Sequence, residues 1–165
     1  MMRIGLILAG GRATRLGGAD KGLVPFQGEP LALRAYRRLS PQVDRILVSA
    51  NRSFDEYRKV LPPDTELIPD RTDSFPGPLA GLEAAIAGLP EKSRNDTWVF
   101  TVPCDCPFFP SDLAEKLISA ADAAGSRAAI AEADGALQPT FACVRADLFP
   151  ELEDYNVAGN HRVRQ

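Results

Sequence analysis

Histidine is almost missing from this chain, with His161 the single example. With so few candidate ligands a four-ligand zinc site is not expected. Cysteine is scarce and odd in number: Cys104, Cys106 and Cys143. Cys104 and Cys106 are too close for an easy disulfide and lack a second pair to complete a zinc site, so reduced, partly buried thiols are expected. Neither sign of charge dominates. The 19 Lys and Arg against 22 Asp and Glu leave a net charge of −3, which makes no global case for binding nucleic acid or a membrane. No apolar run approaches a membrane span and no signal-peptide pattern opens the chain, so cytoplasmic residence is the expectation. Repeats, low-complexity tracts and linkers are also missing. What is present is ordinary for a globular protein: 45% hydrophobic and 25% charged over 165 residues, enough for one domain with a full core.

One stretch organises the rest. The apolar run Ile4 to Ala9 reads as a buried strand and ends in Gly10-Gly11. A glycine-rich loop follows, carrying Arg12, Arg15 and Lys21. Glycines let backbone N–H groups approach an anion closely, and added Arg and Lys suit a polyphosphate. The loop is neither a Walker A motif nor the dinucleotide G-x-G-x-x-G. A plain strand-to-helix turn with solvated basic residues is the competing reading, and the clustering of three cations in one loop weighs against it.

Downstream, strand and helix signals alternate. Leu23 to Phe26 is a short extended piece, followed by a turn at Gln27 to Pro30. Pro30 opens a helix over Leu31 to Leu39, with Leu31, Ala35 and Leu39 sharing a face. Arg45 to Ala50 is a strand. Ser53 is expected to cap a helix over Phe54 to Leu61, which Pro62-Pro63 stop. Glu66 to Ile68 is a short strand, Arg71 to Pro78 a loop without apolar periodicity, and Leu79 to Leu89 a helix. Thr97 to Val102 has the continuous apolar character of a central strand. Ser111 is expected to cap a helix from Asp112 to about Ala124. Arg127 to Glu132 and Gln138 to Val144 flank Asp134-Gly135 as a hairpin, and a last helix follows Asp147.

This alternation predicts an α/β fold, a three-layer α/β/α Rossmann-like domain whose sheet is mostly parallel with a late antiparallel hairpin. In such sheets ligands sit beyond the carboxyl ends of the strands. The polar candidates fall there: the Gly10 to Lys21 loop after the first strand, Asn51 after the second, Asp70 after the third and Asp105 after the fourth. Each also has a bland reading. Asn51 is a common turn residue, Asp70 an ordinary loop carboxylate, and Asp105 a possible cap for its own turn.

These residues resemble a known family. Leu8-Ala9-Gly10-Gly11, Arg15, Gly17-Gly18 and Asp20-Lys21-Gly22 are similar to the L-A-G-G-x-x-x-R loop of nucleotidyltransferases, and the Gly-Gly-x-Asp-Lys-Gly continuation resembles the molybdenum cofactor guanylyltransferases. Ser49-Ala50-Asn51-Arg52, Pro69-Asp70, Gly77-Pro78-Leu79-Ala80-Gly81, Pro103-Cys104-Asp105-Cys106-Pro107, Gln138-Pro139-Thr140-Phe141 and Gly159 through Arg162-Val163 extend the likeness across the chain. Cys106 departs from a common Thr. The family usually continues past the position of Gln165 with a further strand and helix, so the resemblance implies one nucleotidyltransferase domain over residues 1–165 lacking those elements.

The resemblance implies transfer of GMP from GTP to the molybdopterin cofactor with release of pyrophosphate. It implies catalytic roles for Arg15, Lys21 and Asp105, with Asp105 holding Mg²⁺. It also implies nucleotide contacts from Leu8, Ala9, Gly10, Gly11, Lys21, Asn51, Asp70, Gly77, Pro78, Gly81 and Asp105. GTP and the molybdopterin cofactor are the implied partners, together with molybdoenzyme-specific chaperones or cofactor-synthesis proteins. An anionic acceptor phosphate needs no general base, which suits a site without His. Two alternatives stay open at this level. One is a cytidylyl- or sugar-nucleotidyltransferase with the same loop; the other is a non-catalytic nucleotide- or cofactor-binding adaptor.

Overall fold

Strand β1, Met2–Leu8, alternates between two buried faces: Ile4 and Leu6 pack into one cluster of core residues and Ile7 into another. That pattern requires cover on both sides of the sheet. The computed structural model, which describes residues 1–9, 15–16, 19–71 and 77–157, supplies it. Two short pairs follow β1: β2 (Arg15–Leu16) with β3 (Ala19–Asp20), and β4 (Pro25–Phe26) with β5 (Glu29–Pro30). Then come α1 (Leu31–Leu39), β6 (Arg45–Ser49), α2 (Phe54–Val60), β7 (Glu66–Ile68) and α3 (Pro78–Ala87). The chain continues through β8 (Thr97–Pro103), α4 (Leu113–Ala123), β9 (Ala128–Ala133), β10 (Ala136–Arg145) and α5 (Phe149–Val157).

Six of these strands form one sheet in the order β7-β6-β1-β8-β10-β9. β1 runs parallel to β6 and β8, β6 parallel to β7, and β10 antiparallel to both β8 and β9. The core on one face is built with α1, α2 and α4, and on the other with α3 and α5. The three-layer, mostly parallel architecture with its late hairpin is thus as expected. Asp134 (φ 52°) and Gly135 (φ 75°) make the hairpin turn, the left-handed pair that a two-residue connection needs. β8 is buried along Thr97 to Val102, as its continuous apolar character predicts.

Close packing depends on Gly5. A Cβ there would lie 2.5 Å from Leu39 Cδ2 and 3.2 Å from Val43 Cγ2. Leu39 is fully buried on α1 and has no room to retreat. Gly5→Ala should therefore destabilise the fold by about 1–3 kcal/mol, the usual cost of overpacking. In thermal unfolding that is a drop of several degrees in Tm; an unchanged Tm would show that α1 can shift freely.

Three local expectations are corrected. Ser53 stands before α2 in a left-handed conformation (φ 58°) and makes no side-chain capping bond. Ser111 does not cap α4 either: the helix starts at Leu113 behind Asp112. A distant residue serves instead, Gln42 Oε1 accepting the Ala114 N–H at 2.9 Å. Ala32 rather than Leu31 completes the buried stripe of α1 with Ala35 and Leu39. At α4 a tertiary contact overrides the local signal.

Candidate active site

The carboxyl ends of β1, β6, β7 and β8 lie along one edge of the sheet, because these four strands are mutually parallel and adjacent. Backbone bonds tie the edge together: Ala9 N–H donates to Ser49 O (2.8 Å), Ala50 N–H to Ile68 O (2.9 Å), and Cys104 N–H to Leu8 O (3.1 Å). Leu8, Ala9, Asn51, Asp70 and Asp105 are thereby brought to a common rim, although they are far apart in the chain.

Asn51 and Asp70 hold each other. Asn51 Nδ2 donates to Asp70 Oδ2 (3.0 Å) and Asp70 N–H donates to Asn51 Oδ1 (2.9 Å). Ser49 Oγ lies 3.5 Å from Asp70 Oδ1. This reciprocal pair crosslinks the ends of β6 and β7 and presents a fixed amide and carboxylate. Asn51 is therefore more than a turn residue.

Lys21 and Asp105 meet at the other side of β1, with Nζ 3.7 Å from Asp105 Oδ2. Both side chains are about one-third exposed, at 34% and 28%. At that separation the pair is electrostatic rather than a short charge-assisted hydrogen bond. The other recorded neighbour of the carboxylate is the Cys106 thiol, 3.8 Å from Oδ1. No backbone N–H among the described residues donates to Asp105, so the turn-cap reading is not what the geometry displays.

Both oxygens of Asp105 are thus only loosely engaged, at a water-accessible rim beside a lysine. A hard divalent cation fits such a donor. Mg²⁺ is commonly held by one or two carboxylates plus substrate phosphates rather than by an all-protein cage. No cluster of three or more metal-ligating side chains occurs among the described residues.

The neighbouring thiols are unsuited to nucleophilic work. Burial, with the Asp105 charge next in weight, pushes the Cys104 thiol up to about 12, and the same two causes raise Cys106. A thiolate is therefore disfavoured at neutral pH. All three cysteines are free thiols, as expected, with Cys104 and Cys143 buried and Cys106 exposed.

Gly10 and Gly11 lie outside the described residues. Arg15 is placed by its backbone: in the β2–β3 ladder it stands opposite Asp20, one residue from Lys21. Gly77 precedes α3 with φ 111°, a conformation that favours glycine, and Pro78 is the first helical residue. At Gly81 a Cβ would lie 2.7 Å from Ser49 Oγ and 3.2 Å from Leu8 Cδ2. This glycine lets α3 seat directly against the ends of β1 and β6. Arg71 Nη1 lies 3.0 Å from the buried Glu83 of α3 and 3.2 Å from Glu153 on α5.

Sequence reasoning holds Asp20 only as a fallback metal carboxylate, places Arg52 only within a family-like segment, and does not foresee that the two pair. Arg52 Nε donates to Asp20 Oδ1 at 2.6 Å, and the Asp20 side chain is 1% exposed. The available signals were an acidic residue inside an otherwise basic loop and the place of both residues in the segments that carry the resemblance. In β10, pairing with β9 is irregular between Gln138 and Ala142, where the Gln138-Pro139-Thr140-Phe141 segment lies. Proline cannot donate to a ladder, which accounts for a break there. Phe141 packs on Phe109, ring centroids 6.0 Å apart.

The sequence profile of the MobA-like NTP transferase domain matches residues 5–165. The chain is 46% identical to a Burkholderia ambifaria protein called molybdenum cofactor guanylyltransferase, covering 97% of this chain and 78% of that one. Among solved structures, the molybdopterin-guanine dinucleotide biosynthesis protein A of Archaeoglobus fulgidus superposes with a TM-score of 0.73 at 22% identity, over 99% of this chain and 77% of that one. A Mycobacterium tuberculosis protein solved in complex with manganese superposes with a TM-score of 0.67 at 15% identity, over 92% and 74%. At these identities the two structures speak to the fold.

Proposed function

This chain belongs to the MobA-like NTP transferase family and to its molybdenum cofactor guanylyltransferase branch, and from that premise we propose that it transfers GMP from GTP to the terminal phosphate of the molybdopterin cofactor, releasing pyrophosphate. The observation that supports this most directly is the pairing of Lys21 with Asp105 at the carboxyl edge of the sheet, 3.7 Å apart and open to water. Nucleotidyl transfer needs alignment and charge neutralisation more than covalent help. One cation and one carboxylate side by side are the minimum for that task.

The loop from Gly10 to Lys21 cradles the triphosphate through the N–H groups of Gly10 and Gly11. Lys21 and Arg15 balance the charge that builds on the departing pyrophosphate. Asp105 would hold Mg²⁺, which would supply Lewis-acid neutralisation of the phosphate oxygens. Asn51 and Asp70, locked to each other, face the nucleotide together with Leu8 and Ala9. The start of α3, from Gly77 and Pro78 to Gly81, approaches the guanine or the pterin side. The acceptor phosphate is already anionic, so no side chain has to remove a proton from it. Residues 1–165 act as one nucleotidyltransferase domain. Among the described residues no helix is long and apolar enough to cross a membrane, and we place the protein in the cytoplasm with its GTP supply. Proteins of cofactor synthesis and molybdoenzyme chaperones are the macromolecular partners of this reading.

The decisive experiment measures pyrophosphate release with each of the four ribonucleoside triphosphates, with and without molybdopterin. Release is expected with GTP and acceptor together. A site with donors and acceptors matched to one base edge discriminates strongly, so ATP should neither compete in calorimetric titration nor turn over. Equal binding of ATP and GTP would overturn the guanine assignment. GTP binding without any pyrophosphate release would favour an adaptor.

A further inference from the structure

Asp20 is a carboxylate that the reaction above does not use, yet its side chain is all but sealed from water at 1% exposure. One oxygen receives the Arg52 Nε–H at 2.6 Å. The other, Oδ2, is buried and has no hydrogen-bond partner among the described residues. A buried ion pair is weak evidence for stability, since desolvation offsets much of its attraction. An imperfectly satisfied one is poorer still as a stabilising device. Its value must be sought in what it holds in place.

The chain on either side answers that question. Asp20 is the last residue of β3, and Lys21 begins the 3₁₀ turn Lys21–Leu23, closed by Val24 N–H donating to Lys21 O at 3.1 Å. Gly22 is buried on the far side of Lys21. A Cβ there would lie 2.8 Å from the Tyr57 hydroxyl and 3.1 Å from Cys104 Sγ. The backbone of Lys21 is thus gripped at both neighbours. Asp20 is tied to the connection between β6 and α2, and Gly22 is seated against α2 and the end of β8. Cys104 directly precedes Asp105, so the surface that seats Gly22 is continuous with the residue that Lys21 faces.

We propose that Asp20, through its buried pairing with Arg52, is a positioning residue that sets Lys21 against Asp105. Its importance for turnover rests on the catalytic role given to Lys21 above; its importance for the placement of Lys21 does not. A misplacement of about 1 Å at a reacting centre can cost about 100-fold in rate. Asp20→Asn keeps the shape and an acceptor oxygen but removes the charge that holds Arg52.

A double-mutant cycle of Asp20→Asn with Lys21→Ala separates positioning from a general structural effect, because residues acting as a unit are not additive. Asp20→Asn alone should lower kcat by about 10- to 100-fold with KM for GTP little changed. On the Lys21→Ala background it should have almost no further effect. Multiplicative losses, or wild-type turnover in Asp20→Asn, would overturn the proposal. In parallel, amine acetylation of the folded protein, read by peptide mass spectrometry, should show Lys21 labelled faster in Asp20→Asn, with Lys59, Lys92 and Lys116 unchanged. Unaltered Lys21 labelling would likewise overturn it. If the wild type released no pyrophosphate with GTP and molybdopterin, the functional reading would fail and the labelling would still decide the positioning. If Asp20→Asn did not fold, Arg52→Lys, which keeps the charge but not the Nε donor, takes its place in both measurements with the same outcomes expected.

Discussion

Asp105→Asn is expected to abolish Mg²⁺-dependent turnover in a protein that still folds. The residue follows β8, whose buried length fixes its backbone, and Pro103 and Pro107 stiffen the turn around it. Its side chain is 28% exposed and its ion pair with Lys21 spans 3.7 Å. A pair so placed contributes at most about 0–1 kcal/mol to stability. Asparagine preserves size and shape, so thermal unfolding should be nearly unchanged. What is lost is the negative charge that makes an oxygen a good ligand for a hard cation. Removing one preorganised electrostatic element of this kind costs about 100- to 1000-fold in kcat. The checks are a Mg²⁺ titration of pyrophosphate release and a melting curve on the same sample. Normal activity with an unchanged Mg²⁺ requirement would refute the assignment and turn attention to Asp70 and Asp20.

Lys21→Ala should lower turnover by about 100- to 1000-fold, about 3–4 kcal/mol of transition-state stabilisation. GTP affinity should fall much less, since the phosphate contacts proposed for the Gly10 and Gly11 N–H groups do not involve the Lys21 side chain. The distinction follows from when the charge is needed. Negative charge grows on the bridging oxygen and the departing pyrophosphate only as the bond breaks, so a fixed ammonium beside it acts on kcat rather than on binding. Arg15→Ala is expected to behave alike, its backbone standing across the β2–β3 ladder from Asp20. Single-turnover kinetics with a separate calorimetric Kd would measure the split. Wild-type turnover accompanied by weaker binding alone would move both residues from the chemistry to ground-state recognition.

Much of the architecture is written in short-range pattern. The unbroken apolar character of Ile4 to Ala9 and of Thr97 to Val102 suits strands covered on both faces. Pro30, Asp134-Gly135 and the Pro62-Pro63 pair punctuate the chain where elements begin or end. Placing Asn51, Asp70 and Asp105 at one rim needed only the rule that parallel strands share a direction. The resemblance supplied the rest of the functional expectation, and with it the family to which the chain belongs.

Contacts between distant residues were a different matter. Gln42 caps α4 across 72 residues, and Arg52 reaches Asp20 across 32. Neither Ser53 nor Ser111 performs the capping that its local setting suggests. The mutual bonds of Asn51 and Asp70 exist because β7 lies beside β6, and Lys21 faces Asp105 because β8 lies beside β1. Periodicity and turn chemistry report which residues are buried and where the chain reverses, since these are properties of a few consecutive side chains. They carry no information on which strand lies beside which. That order is decided by the joint packing of two faces of helices on one sheet, and only there does Lys21 come to face Asp105 and Asp20 meet Arg52.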